Sequence, residues 1–344
     1  MGRVVKTVKL RLDSFGSFLG MEKGCFVLRD KKGNTKKYPL FETEIGEVVL
    51  QSGNLVSTGA LTACGFWGID VLITTRAGRP IAVLKNLEDD AGVETRIAQY
   101  EALKNGKGVH IAKQIILGKI LSQNLILKKY SLRPLDVIGI KERIDSLEDN
   151  DLAFLRRRLI QIEGTCSKLY FQEIFTLFPR MLIPSSRKTF HAYDGLNNLF
   201  NLAYELLFWK CYRALLKAHL ETHLGFVHTL FFERPSLVCD FQELYRYLVD
   251  DFLIGLSRSL KVSDFKAKVE NFKGKRGQRM FMGKAKTDAL TESLHAYFQK
   301  KVDMPRFRHG YRQEIESLIN EEAILLSLYI RNKSREWTPR IAVT

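Results

Sequence analysis

Short runs in which apolar and polar residues alternate fill the first quarter of the chain, whereas an apolar period of three to four residues governs the rest. The runs VVKTVKLRL, CFVLRD, TKKYPL, EVVLQS, DVLITT and PIAVLK have the period of two and the β-branched content of strands. KKGN and RAGR each carry the glycine that a tight reversal needs at positive φ. They read as hairpin turns, and the region reads as a small, mainly antiparallel β domain. Between EVVLQS and DVLITT, the segment STGALTACGFWG predicts one short helix capped by Ser57 or Thr58.

Near LEDDAGVETRIAQYEALKNGKG the alternation gives way to helical spacing. Helices are expected over 93–105, 109–132, 136–146, 150–177, 194–220, 238–258, 284–302 and 307–332. The fold class is therefore α+β in two domains: a β domain over 1–86, a linker at 87–92 and an all-α domain over 93–344. Two stretches interrupt the helical pattern. FPRMLIPSSRKTFHAYD (178–194) holds two prolines and cannot be one helix. KAKVENFKGKRGQRMFMGKAK (266–286) is dense in Lys, Arg and Gly and is expected to be a mobile basic loop.

Charge narrows the function. The 344 residues carry 54 Lys+Arg against 38 Asp+Glu, a formal net charge of +16, which favours a polyanionic partner such as nucleic acid over a membrane surface. No apolar run approaches the roughly 18 residues that span a bilayer. The start MGRVVKTVKLRLD also lacks the apolar core of a signal peptide, so a soluble, cytoplasmic protein is expected. The five cysteines are odd in number and scattered, which suits reduced thiols. GxxxxGK[ST] is absent, and His219 and His223, although four apart, lack the glutamate of HExxH.

The stretch GFVHTLFFERPSLVCDFQEL (225–244) places His228, Asp240 and Glu243 among apolar neighbours. Asp240 and Glu243, three apart, share a face of a helix that Ser236 could cap; buried acids there must meet a cation or titrate. Glu163 sits at the edge of the apolar stripe Leu152, Leu155, Leu159, Ile162, Cys166, Leu169 and Tyr170, and is followed by Gly164. Each group alone also reads as an ordinary surface acid or a hydrogen-bonded core histidine. Together they suit a hard divalent metal, Mn²⁺ or Mg²⁺. Arg180, Arg187, Lys188, Arg234 and the cluster Lys273, Lys275, Arg276 and Arg279 are candidate contacts to DNA phosphates.

Three segments carry a family resemblance: IEGTCSKLYFQEIF (162–175), DGLNNLFNLAYELL (194–207) and LGFVHTLFFERPSLVCDFQELYR (224–246). In this order and spacing they resemble the CRISPR-associated spacer-integration endonuclease family, the universal metal-dependent integrase of CRISPR adaptation. The resemblance implies a β domain that mediates an asymmetric homodimer. It implies a helical domain holding one Mn²⁺ or Mg²⁺ through Glu163, His228 and Glu243, with Asp240 adjacent as a possible second acid. Double-stranded and branched DNA are the implied substrates, and a small ferredoxin-like CRISPR-associated protein the implied partner. The reaction would insert short duplex DNA into a CRISPR array by 3′-hydroxyl transesterification. The alternatives are a non-catalytic nucleic-acid-binding scaffold and a general repair nuclease for branched DNA.

Overall fold

A computed structural model describes residues 8–342 other than 13, 41–42, 44, 77, 86–89, 148–151, 230–234, 273–274 and 304–311. The chain divides into two compact units, Met1–Val93 and Glu94–Thr344. Of the linker expected at 87–92, residues 87–89 lie outside the described residues and 90–92 are already helix, which begins at Asp90.

The first unit runs β1 (Val8–Leu12), β2 (Phe18–Glu22), β3 (Cys25–Arg29), β4 (Thr35–Pro39), β5 (Ile45–Gln51), β6 (Leu55–Val56), α1 (Thr58–Phe66), β7 (Val71–Thr74) and β8 (Pro80–Leu84). Gly33 and Gly78 take φ of 85° and 83°, and the β3–β4 and β7–β8 pairs that they join are antiparallel, as the turn chemistry requires. Ser57 caps α1 by accepting the Ala60 N–H at 3.2 Å.

The expectation of a mainly antiparallel domain is corrected by the sheet topology. Two four-stranded sheets form, ordered β1-β5-β7-β8 and β4-β3-β2-β6. In them β1 with β5, β5 with β7 and β2 with β6 are parallel. For β5 and β7 the cause is α1: a helix between them carries the chain back along the sheet, so the returning strand enters in the same direction. Leu10, Leu12, Leu19, Phe26, Val48, Leu50 and Val71 form the core with Ala60 and Cys64 of α1.

The second unit is built on α2 (Asp90–Ala102), α3 (Gly106–Lys129), α4 (Val137–Asp145), α5 (Leu152–Phe175), α6 (Gly195–Lys217), α7 (Ser236–Glu243) and α8 (Arg246–Leu256). There follow β9 (Phe265–Phe272), β10 (Lys275–Met282), α9 (Lys284–Phe298), β11 (Lys301–Asp303), β12 (Arg312–Glu314) and α10 (Ile315–Ile330). Its core comes from one face of each long helix, among them Ile111, Ile115 and Ile126 of α3, Leu155, Leu159 and Tyr170 of α5, and Phe200, Ala203 and Leu207 of α6. Burying each large apolar side chain stabilises the fold by about 1.5–3 kcal/mol before entropy is counted.

Three expectations are corrected here. The unit is not all-α, because β9–β10 and β11–β12 form two antiparallel ribbons. The basic stretch 266–286 is a hairpin leading into α9, not a mobile loop. Phe265, Ala267 and Val269 alternate with lysines at the strand period. The hairpin is also tied down: Met280 N–H donates to Tyr193 O at 2.9 Å and Asn198 Nδ2 to Met280 O at 2.8 Å. The single helix expected over 238–258 is broken between Glu243 and Arg246, and that break shapes the site below. The helix of 307–332 begins at Ile315. All five cysteines are free thiols. Among the described residues no helix is long and apolar enough to cross a membrane.

Candidate metal centre

Three helices deliver charge to one point. α5 presents Glu163, α7 ends on Glu243, and α3 supplies Lys119, whose ammonium forms ion pairs with Glu163 Oε1 and, at 2.6 Å, with Glu243 Oε2. Lys119 and Glu243 are each 5% exposed. A carboxylate in the last turn of a helix faces the negative end of its dipole, so Glu243 needs compensation. The break after α7 supplies it: Arg246 opens α8 with its guanidinium 2.9 Å from Glu243 Oε1. Burial pushes the Glu243 carboxyl upward, but Arg246 and Lys119 outweigh it and bring the value down to about 2. Ser167, one turn along α5, donates to Glu163 Oε1 at 2.7 Å.

His228 is positioned by a different device. Asp240, fully buried, accepts the backbone N–H groups of Phe226 (2.5 Å), Val227 (2.9 Å) and His228 (2.8 Å), so one side chain folds the loop ahead of α7. The same carboxylate holds His228 Nδ1 at 2.6 Å, which leaves Nε2 as the ring nitrogen presented outward. Burial pulls the His228 pKa down; the Asp240 hydrogen bond and charge outweigh it, and the net direction is up. Arg156 of α5 fastens the loop from the other side, donating to the carbonyls of Phe226 (2.8 Å) and Gly225 (2.7 Å). Ser236, expected as a helix cap, is instead the first residue of α7. It accepts the Gly225 N–H at 3.0 Å and donates to His223 O.

The donor set suits a hard divalent ion. Two carboxylates from distant helices already converge on one cation, Glu243 Oε2 has no aligned hydrogen-bond donor, and the imidazole has one nitrogen fixed by a carboxylate. Among the described residues, no three His, Cys, Asp or Glu side chains stand close enough together to hold a metal, and it is Lys119 that fills the position between the acids. Glu163, Lys119, Arg246, Phe171 and Ser186 line a cavity of about 460 Å³ beside them.

A second buried carboxylate supports the cationic side. Asp250 accepts the hydroxyls of Tyr170, at 2.8 Å, and Tyr204. The Tyr204 ring lies beneath the guanidinium groups of Arg246 and Arg187, at 4.8 and 5.3 Å. Burial raises Asp250 to about 6, against the pull of the two tyrosine hydrogen bonds.

The expected DNA-contacting residues fall into four groups. Arg180 and Lys188 are exposed on the segment between α5 and α6. Arg187 is turned inward, donating to Asn197 (3.1 Å) and Asn201 (2.7 Å), and Arg279 donates to Ala192 O at 3.0 Å. Lys275 and Arg276 lie on β10, whereas Arg234 and Lys273 are outside the described residues. His219 and His223 share no helix, since α6 ends at Lys217.

Two acids converge on one buried cation beside a cavity lined by Lys119, Glu163 and Arg246, on a helical unit that follows a small β unit in the chain. Comparison with known proteins makes this specific. The family described as CRISPR associated protein Cas1 matches residues 10–286, and the chain belongs to that family. The CRISPR-associated endonuclease Cas1 of Korarchaeum cryptofilum is 28% identical over 281 residues, 76% of this chain and 81% of that protein. Among solved structures, a casposase bound to integration product aligns with TM-score 0.72 at 20% identity, covering 95% of this chain and 96% of the other. A partial Cas6-RT-Cas1–Cas2 complex aligns with TM-score 0.73 at 18% identity, covering 97% and 98%. These two share the fold.

Proposed function

We propose that the protein inserts short duplex DNA into a CRISPR array, joining a 3′-hydroxyl to a phosphodiester at the end of a repeat. The observation that carries this reading is the convergence of Glu163 and Glu243, 80 residues apart in sequence, on one cation beside a cavity, with His228 held alongside by Asp240. Glu163, His228 through Nε2, and Glu243 would hold Mn²⁺ or Mg²⁺. A hard divalent ion there supplies charge that polarises the phosphoryl oxygen and lowers the pKa of the attacking hydroxyl. In the exchange one P–O bond forms as another breaks, the attacking hydroxyl yields its proton to water, and the departing 3′-oxygen takes one up from water to leave as a new 3′-hydroxyl.

The chain's own residues do the rest. Asp240 fixes the His228 ring and tautomer, and Arg246 faces the cavity with a charge suited to a crowded phosphate. Arg180, Lys188, Lys275 and Arg276 offer positioning contacts to backbone phosphates, with Arg234, Lys273 and Arg279 as further members of that set and Arg187 shaping the cavity wall. The likeness to a casposase bound to integration product and to a Cas1–Cas2 assembly supports integration with a small partner protein, here expected to be ferredoxin-like. The β unit is the proposed dimerisation domain, and Phe66 (80% exposed) and Leu55 (63%) give it an apolar surface.

The test supplies the purified protein, with the small partner, with a labelled duplex and two targets: one carrying a repeat junction, one a branched DNA without it. Joined product at the repeat is expected. Cleavage of the branched target without joining would favour the repair nuclease.

A further inference from the structure

Lys119 occupies a position that helix periodicity reserves for an apolar residue. On α3 the positions 111, 115, 119, 122 and 126 form one buried face, and Ile111, Ile115 and Ile126 are each at most 1% exposed. A buried ammonium in that row is tolerable only when paired, and its partners are the two proposed metal ligands, Glu163 and Glu243. Arg246 adds a second cation on Glu243. Without metal, two carboxylates thus face two cations and the site is balanced.

A divalent ion seated between the same oxygens would meet the Lys119 ammonium at contact distance. At that distance an ammonium and a divalent ion repel each other strongly, so they do not share the position. Lys119 has somewhere to go, because its side chain lines the 460 Å³ cavity together with Glu163 and Arg246. Once a divalent ion holds the acids, the displaced ammonium and the guanidinium leave an excess of positive charge, and the anion of matching chemistry is a DNA phosphodiester.

We propose that Lys119 is an exchangeable internal cation: it neutralises Glu163 and Glu243 in the metal-free protein, and moves to a DNA phosphate in the cavity when divalent metal takes the acids. This rests on the assignment of Glu163 and Glu243 as metal ligands. It makes metal and DNA binding mutually reinforcing, and by linkage each raises the other's affinity by the same factor.

The test uses the full chain with Mn²⁺ as the probe. Calorimetry without DNA is expected to show Lys119→Met binding Mn²⁺ roughly tenfold tighter than the wild type, within the roughly 5- to 150-fold span of such couplings. In EDTA the variant should melt below the wild type, because two acids are left facing each other, and saturating Mn²⁺ should restore it. Fluorescence anisotropy with a duplex blocked at its 3′ ends, at constant ionic strength, should show Mn²⁺ tightening DNA binding in the wild type and doing so several-fold less in the variant. Lys119→Gln, which keeps a polar group in the slot, gives the same readings if Lys119→Met fails to fold. Equal or weaker Mn²⁺ binding by the variants, with melting lowered alike in EDTA and Mn²⁺, would overturn the proposal and leave Lys119 a structural ion-pair partner. Glu163→Gln separates the two failures: if it leaves Mn²⁺ affinity unchanged, the ligand assignment itself is wrong.

Discussion

Asp240 shows how much one buried side chain can organise. It accepts three consecutive backbone N–H groups and the imidazole of His228, so Asp240→Ala would strand several buried donors at once. The expected loss is about 3–5 kcal/mol in urea unfolding, together with weakened Mn²⁺ binding, while Asp240→Asn, which keeps one acceptor oxygen, should lose less. Asp250 gives a pH signature of its own. Its folded value of about 6 lies above the ordinary aspartate value, so the protonated form favours the folded state. The stabilisation from this group is full below about pH 4 and is lost as pH rises through 6. Relative to Asp250→Asn, which does not titrate, wild-type unfolding free energy should therefore fall by roughly 2–3 kcal/mol between pH 4 and 7. Parallel curves would contradict it. His228, Asp240 and Glu243 were legible in the sequence because polar groups in an apolar run demand partners. Lys119 is the one charge in the stripe 111, 115, 119, 122 and 126, but an apolar stripe announces a helix and not the partners of its odd member. Arg246 lies in the third segment, but the break that turns it toward Glu243 is a tertiary effect that no local pattern announces.

Elements set the spacing that residues cannot. A Cβ on Gly225 would lie 2.7 Å from the His228 carbonyl oxygen and 2.9 Å from the Ser236 carbonyl carbon, both backbone atoms with nowhere to move. Gly225→Ala should cost about 1–3 kcal/mol in urea unfolding and displace His228, with Mn²⁺ affinity falling alongside. At Gly118 a Cβ would meet Leu244 at 2.8 Å, which shows how closely α3 passes the end of α7. Such close approaches bring Lys119 and Glu243 together, and no pattern local to either helix announces them. Helix positions were legible for α3 to α6 because their apolar stripes are long. Strand direction was not, although the helix between EVVLQS and DVLITT was itself the signal for a parallel crossover. In the 265–282 hairpin, Lys, Arg and Gly content masked a clear alternation of strand faces.

At the scale of the whole molecule, a net charge of +16 accompanies a helical unit in which Lys119 and Arg246 balance Glu163 and Glu243, which supports the proposed metal and phosphate site. Order and spacing of three segments made the family legible, because Glu163 comes from the first and His228, Asp240 and Glu243 from the third, and no single helix pattern predicts their meeting. The most direct measurement is a joining assay with purified protein and its small partner, a labelled duplex with free 3′-hydroxyls and a repeat-bearing target. Mn²⁺ is titrated against EDTA, and His228→Ala is run beside the wild type. The account predicts joined product that requires the metal and disappears in the variant, while both proteins bind the DNA. Joining that persists in His228→Ala, or binding with no metal-dependent product at all, would contradict it.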